Sequence, residues 1–92
     1  MAALFSLGRV VATPEALKVL EQTGTDALEL LHRHAAGDWG EIPPEDAREN
    51  ERSVCNGWRV LSSYPVGEAR ERVWIITEAD RSSTCLLLPS EY

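Results

Sequence analysis

The chain has 92 residues, of which 43% are hydrophobic and 26% charged, and its formal net charge is −6. This length predicts a single domain over residues 1–92, and the composition excludes a disordered chain, which would have fewer hydrophobic residues and a larger charge excess. The acidic balance argues against direct nucleic-acid binding, because that affinity comes mainly from basic side chains that neutralise phosphates. It suits a basic protein partner, or it simply keeps the protein soluble.

The N-terminal segment and the cysteines indicate the compartment. The first eight residues lack the basic start of a secretory signal peptide, and Arg9 ends their apolar run. No stretch approaches the roughly 20 apolar residues of a membrane span. Cys55 and Cys85 are too few for a disulfide framework. We therefore predict a cytoplasmic protein with two free thiols and no membrane association.

The chain begins with a short strand followed by a helix. Residues 8–12, Gly-Arg-Val-Val-Ala, favour a strand. Thr13-Pro14 is typical of a helix start, because Thr caps exposed backbone N–H groups and Pro needs no N–H at the first helical position. Gly24 is expected to end this helix.

Two further helices are predicted before residue 57. Thr25-Asp26 caps the first of them, whose apolar residues recur with a helical period until Gly37. Pro43-Pro44 opens the next helix, which continues to about Asn56. That helix is mostly polar and is expected to lie on the surface.

The last third of the chain predicts three strands, over 58–64, 72–78 and 84–88. The first alternates apolar and polar residues, and the other two contain continuous apolar runs typical of strands covered on both faces. Their connections are short, so they should form an antiparallel meander. Trp58 and Trp74 lie in these strands and are expected to pack in the core.

The predicted fold class is α+β, in the order β-α-α-α-β-β-β. A three- to four-stranded, mainly antiparallel sheet would carry the helices packed on one face. The runs Val73–Ile76 and Cys85–Leu88 then need cover on the second face as well. Symmetric pairing is a common way to bury such a face, so we predict a homodimer.

No constellation for catalysis or metal binding is found in the sequence. A zinc site needs about four ligands, and the only Cys and His candidates are Cys55, Cys85, His32 and His34. The two histidines, two positions apart on a helix, point to different sides and are expected on a solvated helix face. No nucleophile elbow, phosphate loop or HExxH pattern is present. We predict no enzyme activity, no catalytic residues, no cofactor and no metal.

Three groups of side chains are candidates for contact with a partner. A polar turn lies between the last two strands. It is either an ordinary hairpin turn, in which Asp and Ser are common, or a recognition edge in which rigid strands hold Asp80 and Arg81 at the surface. Replacement of both residues by Ala is expected to keep the fold. Trp39, in a Gly-rich loop, fills the core or contacts a partner, and the small core favours burial. The polar third helix exposes carboxylates. The predicted partner-binding residues are Glu78, Asp80, Arg81, Asp38, Trp39, Glu45 and Glu49.

Several motifs together resemble one bacterial protein family. They are residues 8–14, Gly37-Asp38-Trp39-Gly40, residues 46–50, the run Val-Trp-Ile-Ile-Thr-Glu-Ala-Asp-Arg-Ser at 73–82, and Leu-Leu-Leu-Pro-Ser-Glu-Tyr at 86–92. Over nearly the whole chain this combination resembles small proteins of plasmids and integrated elements that are labelled plasmid-related. Some members carry restriction-modification labels, but no methyltransferase or nuclease motif is present here. The resemblance implies a mobile-element setting and no particular activity.

A mobile-element setting favours a counter-defence function. We predict a non-enzymatic accessory protein that binds a host or defence-system protein. Its acidic surface would occupy a basic nucleic-acid channel of a CRISPR or restriction complex, as an anti-CRISPR or anti-restriction inhibitor, because carboxylates imitate the spacing of phosphates. The third helix and the Asp80 turn would form that surface.

The predicted topology supports an alternative function. A strand, helices and a three-stranded meander look like the RelE/ParE toxin superfamily, whose members cleave messenger RNA or poison gyrase. Its basic and aromatic site residues could correspond to Arg59, Arg72, Arg81 and Tyr92. Those toxins are usually basic, whereas this chain is acidic.

Overall fold

The computed structural model describes residues 3–92 and confirms the predicted order of elements. The strands and helices are β1 (Arg9–Ala12), α1 (Pro14–Thr23), α2 (Ala27–Ala35), α3 (Pro44–Asn56), β2 (Val60–Val66), β3 (Glu71–Thr77) and β4 (Ser83–Leu87), followed by a 3-10 helix (Pro89–Glu91). No helix among these residues is long and apolar enough to cross a membrane.

The helix boundaries follow the capping signals of the sequence. The Thr13 hydroxyl accepts a hydrogen bond from the Ala16 N–H at 3.1 Å, which satisfies one of the free donors at the start of α1. The Asp26 carboxylate does the same for the Leu28 N–H of α2 at 2.9 Å. Gly24 ends α1 with φ of 65°, a left-handed conformation that glycine adopts without steric cost.

The four strands form one mixed sheet in the order β1-β4-β3-β2. The strands β2, β3 and β4 are the predicted antiparallel meander, and β1 joins it parallel to β4. β2 is shifted two residues along the chain from the prediction. Pro65 falls inside it, on an edge strand where a missing backbone N–H does not interrupt the sheet.

Trp58 lies outside the sheet, and its predicted core position is wrong. It follows Gly57, which ends α3 in a left-handed conformation, and its side chain is 48% exposed. Trp74 does lie in β3, where it is half-buried, and the Tyr92 ring packs edge-on against it with centroids 5.6 Å apart.

The main core lies between α1, α2 and one face of the sheet. The helices contribute Ala16, Val19, Leu20, Leu30 and Leu31, and the strands contribute Tyr64, Val66, Val73, Ile75 and Leu86. All are at most 7% exposed, so this face is dry.

The second face of the sheet is covered in part by residues that follow β4. Ile76 and Leu87 on this face are buried, and the 3-10 helix with Tyr92 packs beside Trp74. Val11, at the β1 end of the face, remains 42% exposed. The apolar run Val73–Ile76 is thus mostly buried within one chain, with only Trp74 half-buried, and the homodimer stays a prediction.

The outer edge of β2 is closed by polar groups. The Asn50 side chain of α3 donates to the Leu61 carbonyl at 2.7 Å and accepts from the Leu61 N–H at 3.2 Å. Two residues on, the Ser63 N–H donates to the Trp39 carbonyl, and the Ser63 carbonyl accepts from the Glu41 N–H at 2.8 Å. Because these groups are satisfied, the edge offers little to a further strand.

We expect Asn50→Ala to lower the free energy of unfolding by about 2 kcal/mol, because two hydrogen bonds are lost and a partly buried peptide group is left unpaired. Urea denaturation of both proteins measures the difference. Asn56→Ala is the matched control, since Asn56 lies on the same helix and only donates to the exposed Arg52 carbonyl. Equal effects of the two substitutions would contradict the role of Asn50.

Candidate functional site

A chain of hydrogen bonds between buried polar side chains crosses the core at His34. His34 Nδ1 lies 2.5 Å from Ser62 Oγ of β2, and its Nε2 lies 2.9 Å from Thr77 Oγ1 of β3. Thr77 Oγ1 lies 2.7 Å from Thr84 Oγ1 of β4, which donates to the Leu7 carbonyl at 2.7 Å. The histidine, both threonines and Ser62 are fully buried.

The proton directions between Leu7 and His34 Nε2 follow from the last acceptor of this chain. A carbonyl can only accept, so Thr84 donates to Leu7 and must itself accept from Thr77. Thr77 has then used its only proton and accepts from His34 Nε2–H. Burial favours the neutral imidazole, and with its proton on Nε2 the Nδ1 atom accepts from the Ser62 hydroxyl.

Ser62 and His34 have the partners of a nucleophile and its general base, but neither side chain reaches solvent. Phe5 lies edge-on against the imidazole at 5.3 Å between centroids, and Trp39 lies edge-on at 6.0 Å. A substrate therefore has no path to the serine oxygen in this conformation, and the group ties helix to sheet.

The expected solvated position of His34 is wrong, although His32 is exposed as predicted. The apolar spacing of α2 contains the signal: Leu30, Leu31, His34 and Ala35 recur at one helix face, and all are buried. Burial lowers the pKa of His34 to about 4, with a smaller contribution from the positive charge of Arg81.

The loop of Gly37 to Gly40 is a packing element. Trp39 is 6% exposed and stacks on Phe5, so its indole is in the core and is not available to a partner. Gly40 has φ of 76°, and a Cβ there would overlap the Ser63 carbonyl oxygen. The buried Tyr64 hydroxyl donates to the Asp38 carbonyl at 2.6 Å. The loop is thus held against β2 by contacts that need these residue types.

The Asp38 carboxylate points away from the core but is already paired. It accepts from Arg33 Nε at 2.7 Å, which holds the pKa of Asp38 below its usual value. Both residues line an open depression of about 610 Å³ at the end of α2, whose other lining is mostly alanine and glycine. Because the two charges satisfy each other, this depression has little to offer an ionic ligand.

Arg81 fastens the turn between β3 and β4 to the end of α3. Its guanidinium donates to the carbonyls of Trp58 at 2.6 Å, Ser53 at 2.9 Å and Glu78 at 3.2 Å. Its backbone has φ of 62°, which few non-glycine residues adopt. Arg81 is thus half-buried and occupied within the chain, while the neighbouring Asp80 is exposed and accepts only from the Ser82 N–H.

The remaining predicted residues gather around Arg59. Arg59 contacts the Glu78 carboxylate at 3.6 Å and donates to the Tyr92 hydroxyl at 2.5 Å. On its other side it borders a groove of about 250 Å³ between α3 and β2. The groove is lined by Ile42, Asp46, Glu49, Asn50, Arg59 and Leu61. Glu45 lies one helical turn before Glu49 on α3, so the structure brings the α3 carboxylates and Glu78 to one region and leaves Asp38 and Trp39 elsewhere.

Most basic side chains are used within the chain. Five of the nine form ion pairs, namely Arg33, Arg52, Arg59, Arg70 and Arg72, and Arg81 binds carbonyls. Those pairs use four of the 15 acidic residues, so eleven carboxylates have no ion-pair partner within residues 3–92. The charges without an ion-pair partner are therefore more one-sided than the composition indicates, while the paired arginines remain 40–61% exposed.

Neither cysteine is part of a cluster in the described residues. Cys55 is exposed on α3, and Cys85 is half-buried in β4, where burial raises the pKa of its thiol. Within residues 3–92, no three His, Cys, Asp or Glu side chains are grouped closely enough to hold a metal ion.

We expect the protein to lose stability as the pH falls through the range between the two pKa values of His34. The folded value is about 4 and the unfolded value about 6.5, so the folded state resists protonation. Stability from this group is complete above pH 6.5 and falls by about 3 kcal/mol as the pH decreases to 4. Denaturation of His34→Gln at several pH values should lack this component, while the exposed-site control His32→Gln should keep it. The same slope for both variants would contradict the prediction.

We expect Arg81→Ala to lower the free energy of unfolding by about 2 kcal/mol, because three backbone carbonyls lose a charged donor. This differs from the sequence-based expectation that the Asp80–Arg81 turn tolerates change at both positions, because Arg81 is half-buried and bonded to carbonyls. Thermal melts of Arg81→Ala and of Asp80→Ala measure it, with a much smaller shift for Asp80→Ala. Similar shifts for the two would show that the carbonyl contacts contribute little.

Comparison with known proteins does not identify a relative. No protein-family model matches the chain, and neither a curated protein nor a solved structure matches it. The resemblance to plasmid-related proteins therefore stays a prediction, and function is inferred from the residues themselves.

Proposed function

We propose that the protein acts by binding a basic protein through an acidic surface formed by Glu45, Asp46 and Glu49 of α3 together with Glu78. The observation that carries the proposal is the excess of carboxylates without an ion pair: eleven acidic side chains within residues 3–92 have none, Glu45 and Asp46 among them. Glu49 and Glu78 each pair with one arginine, Arg52 and Arg59. A surface of this kind attracts basic partners over a distance and accelerates their encounter.

The construction of α3 supports this proposal. The helix buries only Asn50 and Ser53 and is held by hydrogen bonds to Leu61 and Arg81. Its polar face is not used to build the core, so it remains available. Because α3 is already held in place by these hydrogen bonds, little conformational freedom of this surface would be lost when a partner binds.

The groove beside α3 fits a basic side chain of the partner. Ile42 and Leu61 offer apolar surface for the methylene stem of a lysine or arginine. Asp46 and Glu49 lie on the helix side of the groove, where the cationic head group would be attracted. The engagement of Arg59 by Tyr92 and Glu78 limits its repulsion of such a group.

The resemblance to proteins of mobile elements gives this binding a setting in the cytoplasm of a bacterial host. In that setting the partner is a host or defence-system protein, and a CRISPR or restriction complex is the form that best fits an acidic inhibitor. Such complexes hold nucleic acid in basic channels, which α3 would occupy in place of phosphates.

We expect the triple variant Glu45→Gln, Asp46→Asn, Glu49→Gln to lose at least tenfold in partner capture, about 1.4 kcal/mol. The immobilised protein would be incubated with host extract and bound proteins quantified. The matched control is Glu15→Gln, Glu21→Gln, Glu29→Gln, which removes the same charge from exposed positions on α1 and α2. Equal loss in both variants would indicate nonspecific attraction, and no loss in the α3 variant would refute the proposal.

One arrangement favours the toxin alternative. Arg59 and Tyr92, two of the four residues suggested for a RelE/ParE-like site, are hydrogen-bonded beside Trp74. Arg81 binds carbonyls, and Arg72 pairs with Glu41 at 3.3 Å, so the other two are occupied. Growth arrest on expression that Arg59→Ala abolishes would favour the toxin, whereas normal growth with partner capture favours the binding protein.

A further inference from the structure

The two edges of the sheet differ in whether their outward-facing backbone groups are hydrogen-bonded. The β2 edge is closed by Asn50 and by the Trp39–Glu41 segment. The β1 edge has no strand or side chain bonded to it among the described residues, and Val10 and Val11 there are 44% and 42% exposed. An unprotected edge with exposed apolar residues is unusual, because it is a template for another strand.

The backbone of β1 presents its free groups at fixed positions. The N–H groups of Arg9 and Thr13 donate to Ser82 and Leu86 of β4 at 3.0 Å. Alternate residues of a strand direct their backbone groups to opposite sides, so the N–H and C=O of Val10 and Ala12 point away from β4. Two residues of each chain are therefore available for strand pairing.

We propose that β1 pairs with β1 of a second copy, antiparallel across a two-fold axis at Val11, to give a continuous eight-stranded sheet. Val10 of each copy lies opposite Ala12 of the other, and this pair exchanges both backbone hydrogen bonds. The two Val11 side chains meet at the axis, where exposed apolar surface becomes buried. This inference does not depend on the function proposed above.

The charges at the two ends of β1 select this register. Arg9 lies at the start of the strand and forms no ion pair within residues 3–92. At the other end, Thr13 donates to the Glu91 carboxylate at 2.8 Å and so holds a negative charge there. Arg9 and Thr13 are an even number of residues apart and lie on the same face of the extended chain.

Antiparallel pairing about Val11 places Arg9 of each copy opposite Thr13 of the other, beside its Glu91. The same two-fold axis forms this ion pair twice, so the edge is complementary to itself. A partner strand of another protein would need an equivalent pattern of charges, and the second copy has it already. This complementarity acts locally against the general repulsion between two acidic chains.

The size of the contact sets the expected affinity. The pairing uses a four-residue strand, so the buried area falls at the small end of protein interfaces. We therefore expect a dissociation constant on the order of micromolar. Sedimentation velocity at protein concentrations from about 1 to 100 µM should show a monomer–dimer equilibrium.

Charge reversal tests the register. Arg9→Glu and Glu91→Arg should each raise the dissociation constant at least tenfold, because each places like charges together twice. An equimolar mixture of the two variants should associate again, since both intersubunit pairs then join opposite charges. Glu91→Gln keeps the acceptor for Thr13 and should weaken the dimer to a smaller degree. Arg48→Glu changes the charge of an arginine on α3 and should have no effect.

Val10→Pro tests the strand pairing itself. The Val10 N–H points away from β4, so proline removes an intersubunit donor while the β1–β4 hydrogen bonds remain. We expect this variant to be monomeric with a circular dichroism spectrum like that of the wild type. A wild-type protein that stays monomeric throughout the concentration range would overturn the proposal. A dimer that survives Val10→Pro would also overturn it, as would a mixture of the two charge variants that fails to associate.

Discussion

The fold depends on a single imidazole that has no access to water. His34 joins α2 to β2 and β3 at once, and through Thr77 and Thr84 it reaches the segment before β1. A buried polar group is costly unless every donor and acceptor is used, so each neighbour must be a hydroxyl or a carbonyl at one position. Among the described residues no buried side-chain nitrogen or oxygen lacks a partner. The network thus fixes the position of α2 relative to the sheet. Apolar contacts alone would define that position less strictly, because they are not directional.

The order of elements could be predicted because its signals are local. Thr13, Asp26 and Gly24 act on backbone groups within four residues, and sequence shows such neighbours directly. The roles of His34 and Arg81 could not be predicted in this way, because their partners are distant in sequence. The partners of His34 lie 28 and 43 positions away. Two of the three carbonyls bound by Arg81 lie 23 and 28 positions away, and only the Glu78 carbonyl is near. A polar residue in a strand looks solvent-facing until the side chain that satisfies it is known.

The arginines explain why composition describes this surface poorly. A guanidinium can bind several carbonyls or a carboxylate in a fixed geometry, which suits it to joining segments. Arg81 does so at the end of α3, and Arg70 and Arg72 both meet Glu41 in the loop before that helix. Arginines that pair with one carboxylate in a loop leave carboxylates elsewhere on the surface of residues 3–92 without a partner. The candidate site is therefore a property of the folded chain and is not visible in its net charge.

The position of β1 has a consequence for the order in which the chain folds. In the sheet formed by residues 3–92 its one neighbour is β4, which lies more than 70 residues later and is the last of these strands to be synthesised. The helices α1 and α2 can form early, but the sheet face on which they pack is incomplete until β4 pairs with β3. Contacts of such long sequence separation slow folding, because loop closure precedes the gain from pairing. During synthesis, β1 leaves the ribosome before β4, so the backbone groups on both of its edges remain unpaired until β4 is available. Any other strand that comes close in this interval competes with β4 for the same backbone groups.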